Sequence, residues 1–224
     1  MIERLAELIP KDLLPKSGAV FYSGRAAFSA RAPLYLLGLN PGGDSSNPRL
    51  ETIEVHTRKV LKVVPAEWSA FCDERWGSGN LAPGTSGMQP RVLRVLKDLG
   101  LDARHVPASN LIFMRTRTES ELQERLNQMA QECWPVHRAV IEELGIRVIL
   151  CMGKKAGKWV AAKLGATEEL GWQAEENNTG RASIALGNRS GQVVVIAPHP
   201  SRSNWQNPRS APTDLIRKFL PRSS

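Results

Sequence analysis

Leu34-Tyr35-Leu36-Leu37-Gly38-Leu39-Asn40-Pro41-Gly42-Gly43-Asp44 is the stretch that decides the fold. A short run without polar alternation stops abruptly in turn-forming residues, which is the pattern of a strand buried on both faces and running into a loop. Strands of that kind belong to parallel sheets covered by helices on each side. Working outward, the pattern returns at Ala108-Ser-Asn-Leu-Ile-Phe-Met114, Arg147-Val-Ile-Leu-Cys-Met152 and Val193-Val-Val-Ile-Ala197. Helical spacing fills the intervals: around Thr57 to Val64, through Val92, Leu93, Leu96, Leu99 and Leu101, over Glu119 to Leu144 with a break near Pro135, and over Lys154 to Leu164. Ile2, Leu5, Leu8 and Ile9 give a short opening helix closed by Pro10, a loop continues to Arg31, and Gly171 to Ser190 reads as loops or an edge hairpin. The expected fold is α/β, three layers α/β/α with a four- or five-stranded, mostly parallel sheet, in one domain over residues 1–224 without internal repeats. The region of about 45–87 is atypical, because Gly77-Ser-Gly-Asn-Leu-Ala-Pro-Gly-Thr-Ser-Gly87 does not suit regular structure and reads as a long functional loop.

Thirty Lys and Arg against 22 Asp and Glu leave a net charge of +8, which favours a polyanionic partner, nucleic acid foremost. No apolar run reaches the roughly 20 residues that span a bilayer, and Glu3, Arg4 and Glu7 interrupt the start where a signal peptide would be apolar. A cytoplasmic, monomeric protein without a membrane role is expected. Cys72, Cys133 and Cys151 are odd in number and widely spaced, so they read as reduced thiols, with neither metal nor other cofactor.

Open α/β sheets bind ligands outside the carboxyl ends of their strands. Four such ends carry polar residues: Gly38-Leu-Asn-Pro-Gly-Gly43, Ser109-Asn-Leu-Ile-Phe-Met-Arg-Thr-Arg117, Cys151-Met-Gly-Lys-Lys155 and His199-Pro-Ser-Arg-Ser-Asn-Trp205. The first and last resemble the two signature motifs of the uracil-DNA glycosylase superfamily, a Gly-x-Asn-Pro-Gly turn after the first strand and a His-Pro-Ser loop after the last. The likeness runs from about Val20 to Trp205 and is nearest to the mismatch-specific and single-strand-selective branches. Its middle, Ser109-Asn110 and Cys151-Met-Gly153, is similar to the thermophile-type branch, whose iron-sulfur cluster needs four cysteines and is therefore not expected here. The stretch Ser45 to Gly87 matches none of these branches, and in relatives that region supplies the aromatic ring stacked on the flipped base.

The resemblance implies a monofunctional DNA glycosylase that extrudes a base, uracil first, and hydrolyses its N-glycosidic bond to leave an abasic site. Chemistry assigns the parts. A departing base anion and a sugar cation call for a placed water, a donor to the leaving group and groups that hold the extruded nucleotide. Asn40 has a carbonyl to orient the water, and His199 can donate to the base as charge develops. Asn110, with one acceptor and two donors, suits a Watson–Crick edge, with Gly38 and Leu39 beside the base. Pro41, Gly42 and Gly43 allow close approach to DNA, while Ser201, Arg202 and Ser203 are candidates for phosphate contact or for filling the vacated stack. Trp68, Phe71 and Trp76 are the candidate stacking aromatics, with core packing the plainer role for at least two of them. Asp44 suits a general base or, more simply, a turn-stabilising aspartate. Gly153-Lys-Lys-Ala-Gly-Lys158 lacks the spacing and the Ser/Thr of a phosphate loop, and Lys154, Lys155, Lys158 and Lys163 form a solvated basic helix face. The rival readings are a glycosylase for a bulky modified base such as those of phage DNA, a non-catalytic DNA-binding module, and a hydrolase of free nucleosides.

Overall fold

The computed structural model describes residues 1–47, 50–77, 80–116, 118–176 and 178–221. Helix α1 (Ile2–Glu7) and two 3-10 turns (Lys11–Leu13, Arg25–Phe28) lead into strand β1 (Leu34–Gly38). Helices α2 (Ile53–Lys62), α3 (Ala70–Asp73) and α4 (Gln89–Asp98) precede β2 (Ala108–Asn110). The long α5 (Glu119–Glu143), β3 (Val148–Met152) and α6 (Lys154–Leu164) follow. Then come β4 (Glu168–Glu175), β5 (Asn178–Gly187), β6 (Val193–Ala197) and α7 (Thr213–Arg217).

The strands form one sheet in the order β2-β1-β3-β6-β5-β4, parallel from β2 to β6 and antiparallel in the β4–β5 hairpin. Burial on both faces explains the unbroken apolar runs. Tyr35, Leu37, Ile149, Cys151, Val194 and Ile196 pack on one face against residues of α1, α5 and α6. Leu34, Leu36, Leu150 and Val195 pack on the other against α4, α7 and Trp205. Close layering has a local condition at Gly157 of α6, where an added Cβ would lie 2.6 Å from Ile196 of β6.

Three expectations need correction. The sheet has six strands among the described residues, not four or five, because the polar segment after Ala166 forms the edge hairpin; β4 is largely exposed and lacks the apolar signature of the central strands. Helix α5 runs through Pro135 unbroken. The lost N–H bond and ring clash, about 3 kcal/mol in a helix interior, are offset by burial of Ala130, Cys133, Trp134, Val136 and Val140 around it. The second strand stops at Asn110 instead of continuing to Met114: Leu111 and Ile112 still donate to the carbonyls of Gly38 and Leu39 (3.0 and 2.9 Å), but the chain leaves the ladder. Of the expected loop 77–87, Ser78 and Gly79 lie outside the described residues, as do Pro48 and Arg49 of the wider atypical region and Arg117 after the second strand; the described remainder of 77–86 carries neither helix nor strand.

Candidate active site

Four parallel strands in register put all of their carboxyl ends on one edge of the sheet. Asn40 follows β1 and His199 follows β6, two strands away, roughly 10 Å at the usual inter-strand spacing. Asn110 ends β2, and Gly153 links β3 to α6. Together they open onto a cleft of about 980 Å³, which brings Gly38, Leu39, Asn40, Gly42, Asn110, His199, Ser201 and Arg202 to a single site.

The Asn40 Nδ2 donates to Thr116 Oγ1 (3.3 Å) and to the Pro41 carbonyl (3.4 Å), and Oδ1 has no hydrogen-bond partner among the described residues. Arg115 ties the turn down, its Nε donating to the Gly42 carbonyl (3.0 Å) and its Nη1 to the Glu51 carbonyl (2.9 Å). At the tip of β2, Asn110 pairs with Gly38, and its Oδ1 occupies the space above that glycine: a Cβ at position 38 would lie 2.0 Å from it. Behind Asn110 a buried strut crosses the layers. His137 of α5 meets the Tyr35 hydroxyl through Nδ1 (2.9 Å) and the Leu111 carbonyl through Nε2 (3.1 Å). A carbonyl only accepts, so Nε2 carries the proton and Nδ1 accepts from Tyr35. Burial holds the His137 imidazole neutral, with a pKa lowered to about 4.

His199 is similarly defined. Its Nδ1 accepts the Ser201 backbone N–H (3.2 Å) and faces the Ser201 hydroxyl (2.7 Å), which puts the proton of the neutral ring on Nε2. Burial and then the neighbouring Arg202 charge lower its pKa below the ordinary value, so the ring at neutral pH is an uncharged donor. Two arginines brace the loop from outside: Arg91 donates to the Pro200 carbonyl, and Arg181 to that of Arg202 at 2.6 Å. Lys154 and Lys155 at the start of α6 add positive charge to the same rim.

Several candidates stand elsewhere. Pro41 is buried and, like Gly43, does not line the cleft, and Ser203 is 1% exposed and does not line it either. Trp68 is a core residue, whereas Phe71 and Trp76 wall the cleft, 5.3 Å apart and edge to face. Asp44 lies outside the cleft and its Oδ1 accepts from the Ser46 N–H (2.9 Å), as a turn-stabilising aspartate does. Tyr22, His56, Arg115 and Thr116 were not foreseen. Only the turn-flanking position of Arg115 and Thr116 offered a signal; Tyr22 and His56 arrive through long-range pairing, Tyr22 by its N–H bond to Ala108 on β2 (2.9 Å).

Asn40, Asn110 and a neutral His199 thus share one cleft walled by Phe71 and Trp76 and rimmed by Lys154, Lys155, Arg181 and Arg202. The chain belongs to the uracil DNA glycosylase superfamily, whose family model matches residues 26–221. No curated protein matches the sequence. Superfamily membership makes DNA-glycosylase-type action on DNA the general class of its activity. No helix among the described residues is long and apolar enough to cross a membrane, and no three of their His, Cys, Asp and Glu side chains cluster as metal ligands would.

Proposed function

We propose that the protein is a monofunctional DNA glycosylase that extrudes a base, uracil in the simplest case, and hydrolyses its N-glycosidic bond. The observation that carries this reading is the convergence of Asn40, Asn110 and His199 on one cleft from strand tips separated by up to 159 positions of sequence. Asn110 pairs with the Watson–Crick edge of the extruded base. As the bond between the anomeric carbon and the base nitrogen lengthens, its electron pair moves onto the base, and the His199 Nε2–H strengthens its hydrogen bond to the pyrimidine oxygen where charge accumulates. Asn40 Oδ1 holds a water on the opposite side of the sugar carbon. The water oxygen bonds to that carbon, and its proton is lost to solvent as the released base takes one up. Arg202 and Ser201, on the rim, hold flanking phosphates or enter the gap in the duplex. Pro41 and Gly43 shape the turn beneath Gly42, and Ser203 supports the loop.

The test is an oligonucleotide series carrying uracil, thymine, hypoxanthine or a bulky 5-substituted cytosine at one position, incubated with protein and then treated with alkali. Strand scission at the modified position that appears only after alkali is the expected result. Scission before alkali argues for a lyase, and none on any base argues for a non-catalytic DNA-binding module.

A further inference from the structure

Asn40, Asn110 and His199 leave one wall of the cleft without a task. His56, one turn into α2, lines that wall at 5% exposure, and its Nδ1 is sealed from solvent with no hydrogen-bond partner among the described residues. Burial, assisted by the Lys59 and Arg115 charges, keeps the ring neutral, with a pKa near 3. An unpaired buried polar atom costs about 1–3 kcal/mol, and rotation of the His56 ring about its Cβ–Cγ bond, which exchanges Nδ1 with Cδ2, would turn this nitrogen to the cleft face where a ligand completes it. The surroundings are firmly held. Lys59 bridges Glu51 (3.4 Å) and Glu74 (3.2 Å), and Glu74 in turn accepts the Trp76 indole N–H (3.2 Å). Trp76 stands edge-on to Tyr22 at 6.5 Å, and Tyr22 lies 6.2 Å from His56 and lines the same cleft as Asn110. The wall therefore begins where Asn110 would read a base and continues away from it. The same cleft, about 980 Å³, takes in this wall and the rim at Ser201 and Arg202, so it holds sugar and phosphate as well as a base.

We propose that Tyr22, His56 and Trp76 form a second compartment of the base pocket that receives a hydroxyl-rich, sugar-like substituent on the extruded base, which makes a glycosylated pyrimidine the preferred substrate class. The polar groups select this chemistry. A neutral imidazole offers one donor and one acceptor, the Glu51 and Glu74 carboxylates accept, and the Arg115 guanidinium donates, so hydroxyl groups are matched throughout. A methyl substituent leaves His56 Nδ1 unpaired, an anionic one meets Glu51 and Glu74, and a cationic one meets Arg115 and Lys59. Trp76 and Tyr22 supply apolar faces for the C–H side of a sugar ring. The inference rests on the glycosylase reading.

The experiment measures single-turnover excision from one duplex carrying uracil, 5-methylcytosine, 5-hydroxymethylcytosine or glucosylated 5-hydroxymethylcytosine, with wild type and His56→Leu. Wild type is expected to excise the glucosylated base at least about 10-fold faster than the methylated one, since a site built for hydroxyl groups penalises an analogue that lacks them. His56→Leu is expected to shrink that ratio by about 10-fold. A wild type that releases uracil but treats the glucosylated and methylated bases alike overturns the compartment and leaves the glycosylase reading intact, as does a His56→Leu variant that slows every base by one common factor. A second measurement is independent of turnover and of the variant's folding: nitrogen NMR of His56 in wild-type protein titrated with the free 5-methyl and glucosylated nucleosides. Movement of the His56 Nδ1 resonance by the glucosylated nucleoside alone supports the compartment even if no base is excised and the glycosylase reading falls; equal response, or none, overturns it.

Discussion

Gly38→Ala isolates the geometry on which the base reading proposed for Asn110 depends. Position 38 lies on β1, opposite Asn110 on β2, and the new methyl would sit 2.0 Å from Asn110 Oδ1, so that atom must retreat by roughly 1.4 Å to reach the 3.4 Å of ordinary contact. Misplacement of a positioning group by about 1 Å costs on the order of 10²-fold in rate. Overpacking of this kind costs about 1–3 kcal/mol of stability, tolerable for a domain with this much buried apolar surface. Single-turnover excision of uracil is therefore expected to fall about 100-fold while the protein stays folded by circular dichroism and binds an uncleavable duplex within a few-fold of wild type. The double mutant decides the mechanism, because an effect transmitted through Asn110 is absent once Asn110 is already Ala. Gly38→Ala that excises within threefold of wild type, or that costs the same factor with and without Asn110, would refute the argument.

Two expectations concern proton equilibria. If His199 donates from a neutral ring whose pKa burial and Arg202 lower, protonation places a second N–H on Nδ1 against the Ser201 N–H and disturbs the loop, so excision is expected to be level near neutrality and to decline on an acid limb whose midpoint lies below 6.5. Arg202→Ala removes the second cause and should move that midpoint upward in a pH–rate profile; an unmoved midpoint would detach Arg202 from His199. His56 and His137 are buried neutral, with pKa values near 3 and 4, whereas the unfolded chain protonates both near 6.5. The unfolded state therefore binds more protons between these values, so stability is full above 6.5 and falls as pH drops, by up to about 1.4 kcal/mol per pH unit per histidine. Denaturant unfolding at pH 7, 6 and 5 should show this decline, and His137→Phe should weaken it; equal stability at all three pH values would contradict the burial of neutral rings.

The central sheet was legible because β1, β3 and β6 are buried on both faces and so read as uninterrupted apolar runs ending in turn residues. The same logic gathers Asn40, Asn110 and His199 at one cleft, since parallel strands bring their carboxyl ends to one edge. The β4–β5 hairpin was only half legible, as its exposed strand mixes Glu, Trp and Gln without a dominant period. Pro135 misled because tertiary burial outweighs a local helix penalty. Tyr22 and His56 were invisible for a different reason: neither sits at a strand end, and each reaches the cleft through a contact that sequence spacing does not encode, His56 on a helix capped by Thr52 (Val55 N to Thr52 Oγ1, 3.2 Å). Trp68 and Trp76, alike in the sequence, were separated only by packing.

The most direct measurement follows free base and abasic strand together, by mass spectrometry, from a uracil-bearing duplex under single-turnover conditions with wild type and Asn40→Ala. Wild type is expected to release free uracil and an intact abasic strand in equal amounts. Asn40→Ala, which removes the acceptor for the attacking water, is expected to slow both by about 10²-fold or more with DNA affinity nearly unchanged. Equal rates for the two proteins would contradict the role given to Asn40, and bound but unaltered duplex in every sample would contradict the excision of uracil itself.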